Sequence, residues 1–191
     1  MIIVMKSMMV TFLIIAEFTT YYPNFEWDNT PVKQGNTPSI AVTTSTSTQQ
    51  KQVEQIIIQH MLSRNIATTD AINISNHILT FSGKYNVDPY IILAMIELES
   101  HYQPKAIGKH GDTGLMQILP ATQRYMGITG DLTNPEVNIH VGCKYLAYTQ
   151  NRFGSDLGIV AYNQGEGNIV RGTYKTNYLT KVKMIWLTIK K

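Results

Sequence analysis

The sequence predicts a mostly α-helical protein with one globular domain, and three observations favour this fold class. Apolar residues recur at spacings of three and four in several segments, and residues that start or stop helices separate these segments. No alternating apolar and polar stretch is long enough to predict a β-strand, and we find no internal repeat. A length of 191 residues with 43% hydrophobic residues suits one domain plus an appendage.

The first 18 residues form a segment of their own that predicts export. Lys6 precedes an apolar core, residues 8–16, which stops at Glu17. This order is typical of a secretory signal peptide, and the core is short for a membrane-spanning helix, which needs about 20 residues. Ile14 stands where a cleavage site favours a small residue. An uncleaved membrane anchor and a buried core helix therefore stay open as alternatives.

Residues 19–52 predict a flexible spacer. They contain three prolines and an unbroken run of threonine and serine over 43–48, without a sustained apolar period. An extra helix is expected over 53–67, where Ile56, Ile57 and Ile58 offer apolar surface. The globular domain is expected over 68–191.

The domain begins with two predicted helices. Thr69 and Asp70 are expected to cap the first, which has an apolar stripe at helical spacing. Asp88 and Pro89 are expected to start the second. Residues 90–100 are apolar on nearly every side, which predicts a buried helix.

The remaining elements follow a loop over 103–114 that is rich in glycine. Pro120 is expected to begin a short helix that ends near residue 126. Asn134 and Pro135 start a longer helix, which Gly154 ends. Residues 157–162 predict another short helix, and Asn177 begins the last one.

Composition disfavours several classes of function. Cys143 is the single cysteine, so neither an internal disulfide nor a cysteine-rich zinc site is expected. The five histidines lack the spacing of a helical metal site, and we expect no metal and no cofactor. The net charge of +3 is mild and no cluster of Lys and Arg marks a nucleic-acid surface, although this charge suits an anionic polymer such as cell wall.

Glu99 is the strongest candidate for a catalytic group. It lies at the end of the apolar segment 90–100, where burial would raise its pKa, as a general acid requires. Glu97 lies two residues earlier, so its side chain points about 200° away around the helix. Most glycosidases use two carboxylates across the bond, whereas the rest of this domain offers few acids. A mechanism with one carboxyl group is therefore the simpler interpretation.

Several motifs together resemble a known family. Residues from about 71 to 182 look like the catalytic domain of soluble lytic transglycosylase-like (SLT) enzymes, relatives of goose-type lysozyme. The resemblance rests on motifs in a fixed order: Val87-Asp88-Pro89, Glu99-Ser100, Gln103-Pro104, Gly114-Leu115-Met116-Gln117, Pro120-Ala121-Thr122, Asn138-Ile139, Gly142, Tyr145-Leu146, Ala161-Tyr162-Asn163 and Asn177-Tyr178-Leu179.

The resemblance implies a lysozyme-like fold and cleavage of peptidoglycan between N-acetylmuramic acid (MurNAc) and N-acetylglucosamine (GlcNAc). It implies that Glu99 protonates the glycosidic oxygen and then activates the muramic C6 hydroxyl, which gives 1,6-anhydro ends. It also implies sugar contacts or support for the acid by six residues: Ser100 beside the acid, Met116 and Gln117 lining the sugar site, Tyr162 and Asn163 on the opposite wall, and Tyr178 orienting Glu99.

The chain departs from the family pattern near the last motifs. Gln164 stands where the family more often has alanine, and Glu166 stands where proline is commoner. Tyr174-Lys175-Thr176 replaces the Glu-Thr-Arg that often precedes the final Asn-Tyr. This last departure weakens the placement of Tyr178 but not that of Glu99, whereas Glu166 would add a negative charge near the cleft.

An exported enzyme of this kind suits local opening of the wall for a secretion, pilus, conjugation or phage system. We expect it in the periplasm or cell envelope, with membrane contact through the N-terminus, or alternatively in a virion. Two other functions stay open. One is a hydrolytic muramidase, in which water replaces the C6 hydroxyl. The other is a weakly active peptidoglycan-binding structural component.

Overall fold

A computed structural model of the chain describes residues 40–190, and the regular structure of this range is helical. Its helices are α1 (Ile40–Leu62), α2 (Thr68–Tyr85), α3 (Pro89–Ser100), α4 (Pro120–Tyr125), α5 (Pro135–Phe153), α6 (Ser155–Gln164), α7 (Glu166–Val170) and α8 (Asn177–Ile189). Within residues 40–190 no strand forms, and Thr113 makes isolated antiparallel bridges with Ile107 and Ile118. The predicted fold class, mostly α, is confirmed.

Helix α1 is longer than the sequence predicted. The spacer was expected to extend to residue 52, whereas α1 begins at Ile40, so residues 40–52 are helical. No proline or glycine occurs between Pro38 and Gly83, and the residues before 56 include several strong helix formers. The helix therefore continues toward the N-terminus without a stop signal. The predictions for residues 1–39, an export signal or anchor and most of the spacer, lie outside the described residues.

Helix α2 begins earlier than its predicted caps. Its N-cap residue is Ala67, which offers no side-chain hydrogen bond, so the prediction that Thr69 and Asp70 cap this helix is wrong. Asp70 instead lies in the first turn, where a negative charge favours the partial positive charge of the helix N-terminus. The predicted apolar stripe is buried except for Tyr85, which is partly exposed.

Helix α3 is the buried helix that the sequence predicted. The Asp88 carboxylate accepts a hydrogen bond of 2.8 Å from the Tyr90 N–H, and Pro89 occupies the first turn, where its missing N–H costs nothing. Residues 91–96 are all buried. The helix ends at Ser100 because His101 adopts a left-handed conformation with φ 49°. Helices α2 and α8 pack against α3, so the last turn of α3 has a fixed position.

Helix α5 provides the surface on which the loop after α3 rests. It starts where predicted, with the Asn134 side chain accepting the Glu136 N–H at 2.9 Å. It packs against α2 on one side and α6 on the other. A Cβ atom at Gly142 would lie 2.2 Å from the Met116 sulfur, so only glycine allows the loop to approach this closely. The described helices include none with the length and apolar character that crossing a membrane requires.

Candidate active site

The site is built around Glu99, in the last turn of α3. Glu99 is partly buried, and its Oε1 accepts a hydrogen bond of 2.6 Å from the Tyr178 hydroxyl. Burial raises the pKa of Glu99, the hydrogen bond from Tyr178 lowers it, and the negative charge of Asp112 raises it again, with a net increase. A carboxyl group with a raised pKa holds its proton closer to neutral pH, as a general acid must.

Tyr178 reaches Glu99 from the first turn of α8. The residues are 79 positions apart in sequence, and the Tyr178 ring lies in the same core as Val182 of its own helix. Burial and the neighbouring Glu99 charge raise the pKa of the Tyr178 hydroxyl well above its usual value, so this hydroxyl keeps its proton and donates it to the hydrogen bond. The predicted contact between Tyr178 and Glu99 is present, despite the departure from the family pattern just before it.

A turn-rich loop, residues 103–118, lies beside the end of α3. The buried Asn138 side chain of α5 binds this loop at two points: it accepts the Met116 N–H at 2.7 Å and donates to the Thr113 carbonyl at 2.8 Å. It also donates to the Leu132 carbonyl, in the segment before α5, at 2.8 Å. Gly114 has φ +80°, and a Cβ there would lie 2.3 Å from the Asn138 amide nitrogen. The conformation of the loop therefore depends on glycine at 114 and asparagine at 138.

Ser100 and Met116 support this loop from within the protein. The buried Ser100 hydroxyl donates to the Leu115 carbonyl at 2.9 Å and contacts the Ile96 carbonyl at 3.2 Å. Met116 is 0% exposed, and its side chain lies against Gly142. Both residues thus lie next to the site, although their side chains are engaged with the protein. Their direct contact with a sugar stays a prediction.

Gln117 is partly exposed on the loop, at the edge of the site. It has φ 47°, a left-handed conformation that is uncommon for residues other than glycine. Its amide donates to the carbonyl of Gly114 at 2.9 Å and that of Ala106 at 3.3 Å. These bonds fix the amide nitrogen, whereas its oxygen has no described hydrogen-bond partner and is free to accept one.

Tyr162 and Asn163 form the end of α6 that faces the same region. The Tyr162 hydroxyl donates to the Met116 carbonyl at 2.9 Å, which joins α6 to the loop. Burial raises the pKa of Tyr162 far above its usual value, and the charge of nearby Glu99 adds to this increase. Asn163 is exposed, and its side chain makes no hydrogen bond with any other described residue, so its amide is available to a ligand. Tyr162 thus lies near Glu99, whereas the predicted contacts of Tyr162 and Asn163 with a sugar stay predictions.

Sequence reasoning missed the cluster around Glu97. Glu97 accepts hydrogen bonds from His60 Nε2 at 2.6 Å, Arg64 Nε at 2.8 Å and the Tyr102 hydroxyl at 3.1 Å. Burial alone would raise the pKa of Glu97, but the hydrogen bonds from His60 and Arg64 hold it below its ordinary value. Glu97 is therefore an ionised structural residue that attaches α1 to α3. The predicted divergence of Glu97 and Glu99 is observed, but nothing in the local pattern pointed to His60 and Arg64.

Asp112 is a second acid that the sequence did not place near Glu99. Its backbone carbonyl accepts the Gly108 N–H at 2.8 Å and its side chain accepts the His110 N–H at 3.1 Å. These contacts fold the loop so that the Asp112 charge acts on Glu99. Across the described range no three His, Cys, Asp or Glu side chains are grouped to hold a metal ion.

Curated relatives match the part of the chain that contains these residues. The transglycosylase of Enterobacteria phage PRD1 is 31% identical over 102 residues, which cover 53% of this chain and 38% of the relative. The endo-type membrane-bound lytic murein transglycosylase A of Klebsiella pneumoniae (strain ATCC 700721 / MGH 78578) is 36% identical over 114 residues, which cover 49% of this chain and 55% of the relative. The chain thus spans between about a third and about half the length of these relatives.

Solved structures share the fold. An inactive mutant of lytic transglycosylase Slt from Pseudomonas aeruginosa superposes with a TM-score of 0.53 at 23% identity, covering 60% of this chain and 23% of that one. The 70 kDa soluble lytic transglycosylase of Escherichia coli gives a TM-score of 0.50 at 22% identity, covering 75% and 28%. At this level of identity the likeness establishes the helical architecture.

The family comparison covers more than half of the chain. The model of the family described as "Transglycosylase SLT domain" matches residues 77–185, a range that includes α3, the loop and α6, and most of α8. Glu99, Asn138, Tyr162 and Tyr178 all lie within it. The resemblance inferred from the sequence motifs is confirmed, and the chain belongs to the transglycosylase SLT domain family.

Proposed function

We propose that this chain is a lytic transglycosylase that cleaves the β-1,4 bond between MurNAc and GlcNAc in peptidoglycan. The observation that carries the proposal is the state of Glu99: a partly buried carboxyl group, with a raised pKa, held by the Tyr178 hydroxyl at 2.6 Å. The names of the curated relatives support this choice of reaction and polymer.

In the proposed reaction Glu99 acts twice. Its proton passes to the glycosidic oxygen as the bond to the anomeric carbon breaks, and GlcNAc leaves with a free hydroxyl group. The Glu99 carboxylate then accepts the proton of the muramic C6 hydroxyl, whose oxygen bonds to the anomeric carbon. Glu99 ends protonated, no water is consumed, and the product is a 1,6-anhydro ring. One carboxyl group is sufficient because the substrate supplies the nucleophile.

The other residues of the site hold the substrate and the acid in this proposal. Tyr178 orients Glu99 through the hydrogen bond to Oε1. Asn163 and Gln117 offer amide groups to the sugar substituents, since each has hydrogen-bonding capacity left within the described residues. Tyr162 forms the wall behind the acid. Ser100 and Met116 contribute by keeping the loop in place.

A hydrolytic muramidase is a second candidate, and the position of Asp112 favours it. Inverting glycosidases use a second carboxylate as the base that activates water on the opposite face of the sugar. Asp112 lies close enough to Glu99 for its charge to raise the Glu99 pKa. If Asp112 activates water, the reaction yields reducing ends instead of anhydro rings.

Mass spectrometry of the muropeptides released from purified peptidoglycan separates these functions. The full chain would be compared with Glu99→Gln and Asp112→Asn. Anhydro ends from the parent and from Asp112→Asn, but not from Glu99→Gln, would support the transglycosylase. Reducing ends that disappear in Asp112→Asn would establish the hydrolase. Wall binding without release of fragments by the parent would make the protein a structural peptidoglycan-binding component.

The same proposal places the protein at the cell envelope. Relatives named membrane-bound lytic murein transglycosylases and a phage transglycosylase support an exported protein that opens the wall locally, for an envelope-spanning machine or a virion. Fractionation of cells that produce the chain with a C-terminal tag tests the location. Recovery of the tag in the cytoplasm alone would contradict export.

A further inference from the structure

We propose that Gln164 is a positioning residue for the catalytic acid, because its side chain fixes the backbone from which Tyr178 reaches Glu99. This inference rests on the proposed function of Glu99. It concerns a residue at which the chain departs from the family pattern, since alanine is commoner at this position.

The first step is a double contact between Gln164 and Lys175. The Gln164 Oε1 accepts the Lys175 N–H at 2.9 Å, and the Gln164 Nε2 donates to the Lys175 carbonyl. A side-chain amide that binds both polar groups of one residue fixes the position and the orientation of that peptide segment. Within the described residues, Gln164 supplies both hydrogen bonds of the Lys175 main chain.

The second step concerns the start of α8, which has neither a capping side chain nor an acidic residue in its first turn. Thr176 is the N-cap residue, and its side chain makes no capping hydrogen bond. Uncapped helix starts are less well held than the turns that follow, because their first N–H groups have no partner within the helix. Tyr178 lies in this first turn, three residues after Lys175.

The third step is the connection on the other side of Gln164. Gln164 ends α6, the helix that carries Tyr162 and Asn163, and its main-chain carbonyl accepts the Asn168 side chain at 2.6 Å. The Asn168 carbonyl in turn accepts the Thr173 N–H at 3.0 Å. Both ends of the loop before α8 are thus attached to the end of α6. Gln164 therefore connects α6, which carries Tyr162, to the segment before Tyr178, the residue that binds Glu99.

The contact between Gln164 and Lys175 does not depend on the side chains of the segment before α8. Because Gln164 binds only the main chain of Lys175, it can fix this segment whatever side chains the segment carries.

Four variants of the full chain test the proposal: Gln164→Ala, Gln164→Glu, Tyr178→Phe and the double variant Gln164→Ala/Tyr178→Phe. Glutamate keeps the acceptor for the Lys175 N–H but places a carboxylate oxygen, which cannot donate, against the Lys175 carbonyl, so it replaces one hydrogen bond by repulsion. The matched control is Gln150→Ala, which removes another glutamine-to-carbonyl bond, to Ser155 at 3.3 Å, at the opposite end of α6.

We expect Gln164→Ala to lower kcat for peptidoglycan cleavage about three- to tenfold, the range that one or two hydrogen bonds supply, with KM changed less than twofold. Gln164→Glu should lower kcat at least as much as Gln164→Ala, and Gln150→Ala should match the parent. In the Tyr178→Phe background the Gln164→Ala change should have no further effect on kcat, since its route to Glu99 is already removed.

A second measurement does not depend on activity. The Tyr178 hydrogen bond lowers the Glu99 pKa, so losing it should move the NMR titration of a carbon-13-labelled Glu99 carboxyl to higher pH in both Tyr178→Phe and Gln164→Ala. Parental kcat in Gln164→Ala, an equal loss of kcat in the Tyr178→Phe background, or an unmoved Glu99 titration would each overturn the positioning role. If Gln164→Ala does not fold, Gln164→Glu decides by the same criteria. An inactive parent would refute the proposed function, whereas the titration would still decide the role of Gln164.

Discussion

Glu97 and Glu99 lie two residues apart on α3, and replacing each of them with glutamine should change a different property of the protein. The Glu97 side chain is 15% exposed and accepts hydrogen bonds from His60, Arg64 and Tyr102. The Glu99 carboxyl group has one described hydrogen-bond donor and a raised pKa. We expect Glu97→Gln to be less stable than the parent but active. Glu99→Gln should be inactive but as stable as the parent.

The hydrogen-bond donors of Glu97 determine how much stability Glu97→Gln should lose. The bond to His60, whose side chain is 8% exposed, has a charged acceptor, and losing such a bond costs about 1.5–3 kcal/mol. Arg64 is 42% exposed, so solvent screening limits its share to below about 1 kcal/mol. We expect a total of about 2–3 kcal/mol, which would lower the Tm of a domain of this size by about 4–12 °C.

Lowering the pH should reduce the stability that Glu97 contributes to the folded state. Its folded-state pKa is below the ordinary value, so its contribution to stability is present above the ordinary carboxyl pKa and is lost as pH falls through the folded pKa. The difference between the parent and Glu97→Gln should therefore be full at pH 7 and should shrink below about pH 4.

Glu99→Gln should behave in the opposite way. The raised pKa of Glu99 means that the folded state disfavours the ionised carboxylate, so this group lowers stability as pH rises above the ordinary carboxyl pKa. A neutral amide removes this cost, and the variant should be at least as stable as the parent at pH 7.

Urea and thermal denaturation followed by circular dichroism, at pH 7 and near pH 3, measure these stabilities, and release of soluble muropeptides measures the activity. The reasoning fails if Glu97→Gln unfolds at the same urea concentration as the parent at pH 7. It also fails if Glu99→Gln is destabilised as strongly as Glu97→Gln, because Glu99 would then have structural partners that the geometry does not contain.

Three further predictions concern the surroundings of the acid. Asp112→Asn removes a charge that raises the Glu99 pKa, so the loss of activity at high pH should begin at lower pH than in the parent, as a pH–rate profile would record. Asn138→Ala removes three hydrogen bonds to the backbone, two to the loop and one to Leu132, and leaves buried polar groups unpaired, which should cost about 3 kcal/mol in urea denaturation. Gly142→Ala forces a Cβ against the Met116 sulfur and should lower stability by about 1–3 kcal/mol, measured in the same way.

Each of these changes has a matched control. Glu136→Gln removes an exposed acid from α5 and should leave the pH–rate profile unchanged, whereas an equal shift in both variants would refute the specific effect of Asp112. Asn138→Asp keeps the acceptor for the Met116 N–H but places a buried carboxylate oxygen against the Thr113 and Leu132 carbonyls, so a loss at least as large as in Asn138→Ala is expected at pH 7. Gly83→Ala adds a methyl group where no atom lies within 4 Å and should stabilise α2 by about 0.5–1 kcal/mol. Equal losses at positions 83 and 142 would contradict the packing argument.

Local signals in the sequence were sufficient for most helices of the domain, although the short helix α7 (Glu166–Val170), which lies between two glycine-containing turns, was not predicted. Asp88 with Pro89, and Asn134 with Pro135, start helices because each pair combines a capping side chain with a residue preset for the first turn. Helix α1 was predicted too short, since a serine- and threonine-rich composition disfavours a helix without forbidding one.

The sequence alone also determined the candidate acid and the family. An all-round apolar helix has to be buried, so the carboxyl group at its end was expected to be partly buried, and the order of the motifs identified the SLT resemblance. The chemistry of a residue can be inferred in this way when its immediate neighbours in sequence determine its environment.

Only the tertiary structure decided which partners each group has. Glu97 and Glu99 have the same side chain on the same helix, and they differ because His60 lies 37 positions before Glu97 whereas Tyr178 lies 79 positions after Glu99. Helical periodicity gives the direction in which a side chain points but not the element that packs there. The burial of Met116, the approach of Asp112 and the Gln164 contact with Lys175 all result from contacts between separate elements.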